Sequence, residues 1–305
     1  MTIVTGVTVR VPAKLNLQLA VGPPRADGYH DLVTVFHAVS LFDEITAEPA
    51  RRDGVSVSGE GADRVPADGD NLALRAVSAL RAEMPSAPGV HLTIAKRIPV
   101  AAGLAGGSGD AAAALVACNE LWAGGFGPPQ LAEIAARVGS DVAFALLGGT
   151  AVGRGRGEQL TPALAPATQY HWVLAFADGH LSTPEVYATL DRQRARAREQ
   201  VPAEPGLDPS LMSALRSGDA RLVGRALSND LQPAALSLRP ALADVLKAGY
   251  DAGAVAGIVS GSGPTCVFLA ADGAHAERVA ADLNQAEVCR SAITARGPMP
   301  GARVT

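Results

Sequence analysis

The sequence predicts a soluble protein of mixed strands and helices with room for two domains, and three observations carry that expectation. The chain has 305 residues, 48% of them are apolar, and strand-like and helix-like stretches both recur along it. A formal net charge of −4 gives no reason to expect a nucleic-acid or anionic-membrane partner. Cys118, Cys266 and Cys289 are far apart and form no C-x-x-C pair, which argues against a disulfide framework or zinc site and suits a reducing cytoplasm. The first ten residues lack a basic region followed by an apolar core, so no leader is expected. No run approaches the ~18 apolar residues needed to cross a bilayer.

Residues 7–11 alternate and read as a strand. The alternation continues through residues 12–20, with Leu15, Leu17 and Leu19 on one face and Lys14, Asn16 and Gln18 on the other. In isolation that polar face reads as solvated. Asp27-Gly28 signals a turn, and Tyr29-His30 directly after it puts an aromatic ring and an imidazole on an exposed bend. Such a pair can stack on a flat ring and hydrogen-bond its edge, or it can be structural. Glycines 54, 59, 61 and 69 among short β-prone pieces suggest hairpins and a polar loop over residues 46–70. Asp70 or Asn71 caps a helix over residues 72–84, and residues 91–98 form a strand that carries Lys96 near its end. Only three lysines occur among 26 basic residues, so Lys14 and Lys96 stand out in a chain that otherwise writes its cations as Arg.

Residues 99–115 join a glycine-rich loop to an alanine-rich helix. Gly103, Gly106, Gly107 and Gly109 let the backbone expose successive N–H groups, and Ser108 or Asp110 can cap a helix running from Ala111 to about Gly124. Unpaired amides and the aligned dipole at such a junction favour an anion, above all a phosphate chain. The spacing G-x-x-G-G-x-G is neither a Walker A loop nor a dinucleotide fingerprint.

Further on, a helix over residues 130–138 ends at Gly139, and Asp141 opens the next one, where capping is the ordinary role of an Asp. Residues 148–158 read as strand and turn, with Arg154 and Arg156 either near phosphates or solvated. A buried strand follows at residues 171–176. Residues 192–199 read as a solvated basic helix face, and prolines 202, 205 and 209 mark a surface loop. Helices are expected at residues 211–217, 221–227 and 241–252, then strand, glycine turn and strand over residues 257–268.

Taken together, these residues resemble the kinase superfamily that includes galactokinase, homoserine kinase and mevalonate kinase. Its second motif, P-x-x-x-G-L-x-G/S-S-x-A/D-A, is matched by Pro99, Gly103, Leu104, Gly106, Gly107, Ser108, Asp110, Ala111 and Ala112. Ala102 and Gly109 depart from it without removing a backbone donor. The pieces P-A-K-x-N-L, G-x-R-x-D-G-Y-H-x-L-x-T-x-F and L-x-D-x-I between Pro12 and Ile45 are similar to the 4-diphosphocytidyl-2-C-methyl-D-erythritol kinase family, with Pro24 where Arg or Gly is common.

The resemblance implies an α+β fold of the two-lobed small-molecule kinase type, with an N-terminal lobe over residues 1–160 and a C-terminal lobe over residues 161–305. It implies ATP and Mg2+ as cofactors and phosphorylation of the 2-hydroxyl of 4-diphosphocytidyl-2-C-methyl-D-erythritol, a step in making isoprenoid precursors without mevalonate. Asp141, in a G-S/A-D-V-P/A motif, would be the catalytic carboxylate that takes the hydroxyl proton. Lys14 would orient it and favour the alkoxide. Pro99, Gly103, Leu104, Ala105, Gly106, Gly107, Ser108 and Gly109 would hold the triphosphate, with Ser108 also touching magnesium through phosphate. Asn71 and Lys96 would lie by the adenine, the plainer alternative for Lys96 being a surface cation at a strand end. On the acceptor side, Tyr29 and Tyr187 would sandwich a cytosine whose edge His30 reads, alongside Asn16 and Thr183. The third-motif loop Ser260, Gly261, Ser262 and Gly263 would return against the phosphates. Another kinase of the superfamily, acting on homoserine or mevalonate, and a silent nucleotide sensor are the alternatives, and retention of Lys14 and Asp141 speaks against the sensor. The oligomeric state is left open.

Overall fold

The computed structural model describes residues 6–164 and 168–305. Residues 1–5, on which the expectation of no leader partly rests, lie outside them. The alternation seen from residue 7 onward becomes one long strand, β1 (Val7–Pro24), paired antiparallel with β2 (His30–Ala50). Register shifts at residues 12/13 and 16/18 bend the pair, so one alternating set of side chains reaches three different cores. Val7, Val9 and Val11 meet the first, Ala13, Leu15 and Leu17 the second, and Leu19 and Val21 the third.

The first sheet adds β3 (Gly54–Gly59), β4 (Gly89–Lys96), β5 (Thr150–Arg154) and β6 (Gln159–Pro162), which gives a main order of β1-β2-β4-β3 with β5 on β2 and β6 on β5. One face is covered by α1 (Leu72–Glu83), α2 (Gly106–Leu121), α3 (Pro128–Val138) and α4 (Ser140–Leu147), packed on Ile45, Leu92 and Ile94. Asn71 caps α1 by accepting from Ala73 N at 2.9 Å. Each fully buried aliphatic side chain here would cost about 2–5 kcal/mol if cut to Ala.

Past residue 168 come β7 (Tyr170–Phe176), α5 (Thr183–Ala197), α6 (Pro209–Ser217), α7 (Ala220–Arg225), β8 (Ser228–Asn229), α8 (Gln232–Leu238) and α9 (Ala241–Asp251). They are followed by β9 (Ala256–Val259), β10 (Thr265–Ala270), α10 (Gly273–Gln285), β11 (Ser291–Gly297) and β12 (Arg303–Val304). The second sheet has the order β11-β7-β10-β9, antiparallel throughout. β7 reads as continuously apolar because both its faces are covered. Trp172, Leu174 and Phe176 meet Leu15, Leu17 and Val35 of the first sheet, while Val173 and Ala175 meet residues of α9 and α10. β8 and β12 pair with β1, so late parts of the chain complete the first sheet.

Four expectations change. β3 forms no hairpin: it runs parallel to β4, with Val57 beside Ile94, because residues 51–53 step past β4. Asp53 fixes that step by accepting from Val90 N at 3.1 Å and pairing with Arg81. Alternation alone fits either pairing, which is why the sequence misleads there. The helix after the glycine loop starts at Gly106 instead of Ala111, and neither Ser108 nor Asp110 caps it. The basic run of α5 is not wholly solvated, since Arg194 donates to Val21 O and Asp230 at 2.8 Å. Residues 271–305, for which no element is expected, hold α10, β11 and β12.

Candidate active site

A cavity of about 1050 Å³ lies where β1, the start of β2, the loop before α2, the N-termini of α4 and α5 and the 260–263 loop meet. Lys14, Asn16, Tyr29, His30, Asn71, Lys96, Ser108, Asp141, Thr183 and Tyr187 all line it, as do Pro99, Gly103, Ala105, Gly106, Gly107, Gly261 and Ser262. Leu104, Gly109, Ser260 and Gly263 stand behind the wall. Gly103 must be glycine, since its φ is +75° and a Cβ would lie 2.2 Å from Ser260 O. Ser260 Oγ donates to Gly103 O at 3.2 Å, which braces the first loop against the third motif. A Cβ on Gly109 would lie 3.3 Å from Val11, so its departure from the motif permits close packing of α2 on β1.

β1 and α4 come from distant stretches of chain, yet Lys14 Nζ lies 3.9 Å from Asp141 Oδ2. Lys14 and Asn16 share a strand face as the alternation requires, and Nζ donates to Asn16 Oδ1 at 2.7 Å. Asn16 in turn donates to Thr34 Oγ1 at 2.8 Å, and Thr34 to Gln18 O at 2.7 Å. Asn16, which accepts from the ammonium, is thereby fixed. Burial lowers the pKa of Lys14, and the charge of Asp141 works against that shift. Asp141, in the first turn of α4, has a side chain about a third exposed to the cavity. An alcohol placed beside it would find a proton acceptor and a cation together.

At the loop, Ala105 takes the left-handed conformation at φ 57° and turns the chain into α2. Gly109 N already donates to Ala105 O at 2.9 Å, so the first-turn amides without an intrahelical acceptor are those of Gly106, Gly107 and Ser108. Gly106 fits against Ile98, at 3.1 Å from a Cβ position, and against Lys96 Nζ at 3.2 Å.

Lys96 is no surface cation. Its ammonium is buried and donates to Asp43 Oδ2 at 2.5 Å and Asp110 Oδ2 at 2.7 Å. Asp43 Oδ1 also accepts from Arg97 N at 2.6 Å and Ile98 N at 2.8 Å, which shapes the approach to the phosphate loop. Burial, opposed by Lys96, pushes the Asp110 carboxyl up to about 7. Asp43 belongs to the L-x-D-x-I piece and Asp110 to the second motif, but nothing local in the sequence says that they share one ammonium.

At the other end, His30 and Tyr187 lie with ring centroids 5.0 Å apart, tilted by 38°. His30 Nε2 donates to Asp191 Oδ1 at 3.0 Å. Asp191 sits one turn beyond Tyr187 on α5, a helical spacing that could have identified it. Tyr29 stands at the rim, 55% exposed. Thr183 Oγ1 and Ser262 Oγ share a hydrogen bond of 2.9 Å that joins α5 to the third motif. Asn71 is occupied at both ends, capping α1 and donating to Pro66 O at 2.7 Å.

The pattern described as GHMP kinases N terminal domain matches residues 71–149, and GHMP kinases C terminal matches residues 211–288. A 4-diphosphocytidyl-2-C-methyl-D-erythritol kinase of Thermobifida fusca is 57% identical over 98% of both chains, and one of Salinispora tropica is 56% identical over 98% of this chain and 94% of its own. A crystal structure of 4-(cytidine 5'-diphospho)-2C-methyl-D-erythritol kinase superposes with a TM-score of 0.75 at 33% identity, covering 94% of this chain and 98% of the other. Homoserine kinase from Cytophaga hutchinsonii, at 20% identity and a TM-score of 0.76 over 100% of this chain and 99% of its own, shares the fold. Near-full-length identity above one half, with the expected side chains gathered in one cavity, settles the kinship: the chain belongs to the 4-diphosphocytidyl-2-C-methyl-D-erythritol kinase family of the GHMP kinases.

Proposed function

We propose that the chain uses ATP to phosphorylate the 2-hydroxyl of 4-diphosphocytidyl-2-C-methyl-D-erythritol. The Lys14–Asp141 pair carries this reading, because it stands in the same cavity as the free amides of α2 and the His30–Tyr187 pair. Phosphoryl transfer asks mainly for alignment and charge stabilisation. The amides of Gly106, Gly107 and Ser108, together with the positive end of α2, suit the nucleotide's phosphates. Asp141 takes the proton of the attacking hydroxyl, and the Lys14 ammonium stabilises the oxygen as charge develops on it. Tyr29 and Tyr187 stack on the cytosine, and the bond from His30 to Asp191 fixes the imidazole that reads its edge.

Magnesium suits this site. Among the described residues no group of three or more His, Cys, Asp or Glu could cage a metal. The Ser108 hydroxyl, which lines the cavity beside the free amides of α2, would reach the ion through the phosphates that supply its other ligands. Bound there, the ion would neutralise phosphate charge. We place the lobe boundary near residue 160, with β8 and β12 reaching back to β1. We place the protein in the cytoplasm, a reading supported by three free cysteines. No helix among the described residues is long and apolar enough to cross a membrane.

A coupled ADP-release assay tests the proposal. Turnover with the cytidine diphosphate alcohol should far exceed that with homoserine or mevalonate. Preference for either of those, or no ADP release with any alcohol, would overturn it.

A further inference from the structure

We propose that Arg156 recognises the acceptor's diphosphate and so selects an acceptor that carries one; the assignment rests on the function proposed above. Arg156 sits on the turn between β5 and β6. That turn is fixed, because Gly157 N donates to Arg154 O at 3.0 Å, Arg156 N donates to Glu158 Oε2 at 2.7 Å, and Leu32 N reaches Gly155 O at 2.7 Å. The last bond ties the turn to β2 two residues after His30. The guanidinium lies 5.0 Å from the centre of the Tyr29 ring and lines the cavity. Its neighbour on the turn, Arg154, does not line it.

The turn also borders the reaction end. A Cβ on Gly157 would lie 3.4 Å from Phe36 and 3.9 Å from Ser140, the residue before Asp141. The turn that carries Arg156 therefore runs from beside the ring that stacks on the base to beside the residue preceding the carboxylate that meets the hydroxyl. In a nucleoside diphosphate ester of a polyol, the diphosphate is what spans those two points.

Charge accounting singles out the same residue. Lys14 is engaged by Asn16 and Asp141, and Lys96 by Asp43 and Asp110. Arg64 also lines the cavity, but beside Val65, Pro66 and Val100 at the nucleotide end. The Arg156 guanidinium forms no ion pair within 4.0 Å among the described residues, Glu158 being bound only by the backbone N–H. Asp141 and Asp191 line this part of the cavity and would repel a diphosphate, so a cation is needed there. Arg offers the planar fork that holds phosphate oxygens in pairs.

The test is calorimetric titration of cytidine and of cytidine 5′-diphosphate into wild type, Arg156→Ala and Arg156→Lys, with KM for acceptor and for ATP measured alongside. Wild type should prefer the diphosphate. Arg156→Ala should bind it about tenfold to a hundredfold more weakly, as loss of a charged hydrogen bond implies, while cytidine binding stays unchanged. KM for the acceptor should rise to match while KM for ATP holds, and Arg156→Lys should recover part of the loss. An unchanged diphosphate preference in Arg156→Ala overturns the assignment. So does equal weakening of both ligands, which would mean that Arg156 acts through Tyr29 alone. Wild type that binds neither ligand and leaves the acceptor unphosphorylated overturns the functional reading itself, and this assignment with it.

Discussion

Replacing Lys96 by Met should unfold the protein early, and in a pH-dependent way. The ammonium is 1% exposed and lies between side chains that are 0% and 4% exposed, Asp43 and Asp110. Its loss leaves two carboxylates facing each other without a cation. Asp43 keeps the amides of Arg97 and Ile98, but the second oxygen of Asp110 already has no partner. Removing one member of a buried ion pair costs about 3–5 kcal/mol. At roughly 2 °C per kcal/mol for a chain of this size, the melting temperature should fall by about 6–10 °C at pH 8. The sign of the pH effect follows from Asp110. Its folded pKa is raised to about 7, above the ordinary 3.8, so the folded state keeps a proton that the unfolded state releases. The Asp110 contribution to stability therefore declines as pH rises from about 4 through about 7 and then levels off, against an opposite contribution from buried His37 that the variants share. Without Lys96 that folded pKa climbs further, and the loss should shrink at pH 6, where Asp110 can stay neutral. Thermal melts of wild type, Lys96→Met and Lys96→Met/Asp110→Asn across this range check the argument, and the double variant should recover part of the loss at pH 8. A single variant that melts with wild type, or whose deficit is the same at both pH values, would refute the reasoning.

The remaining predictions concern turnover and binding. Asp141→Asn should lower kcat by about 10²–10⁴-fold while ATP affinity holds, as read by steady-state kinetics beside nucleotide titration; near-normal turnover would exclude Asp141 as the base. Tyr29→Ala should weaken cytidine binding roughly 5- to 150-fold, the value of about 1–3 kcal/mol for one stacked base, and calorimetry would detect its absence. In the proposed reaction Lys14 acts as a cation, and burial holds its pKa below the ordinary 10.5, so kcat should fall on an alkaline limb centred below that value. A limb at or above 10.5 would contradict a buried ammonium.

The parts of the site that could be read from sequence are those that repeat locally. Alternation puts Lys14 and Asn16 on one face, the Asn71 side chain caps α1, and Gly139, poor in helix propensity, ends α3. The start of α2 is hidden in the sequence because glycine's poor helix propensity masks a packing need that only the folded chain reveals: the glycines let α2 lie against Val11 and Ile98. Lys96 was ambiguous for a similar reason. Its two carboxylate partners are 53 and 14 residues away, and no local pattern measures such distances. Asp191 lay within reach, one helical turn from Tyr187, but its value depends on His30, which arrives from 161 residues upstream.

β1 carries a last consequence. Its early valines are locked among α1–α4, its middle leucines against the second sheet, and its late residues among α5, α8 and α9, with Lys14 near the midpoint. A strand gripped at both ends works like an axle: the halves cannot swing apart around the amine without tearing one of its seats. Entry of nucleotide and alcohol is thus expected at the rim, where Tyr29 and Arg156 sit on short turns, with the ammonium anchored on the packed strand.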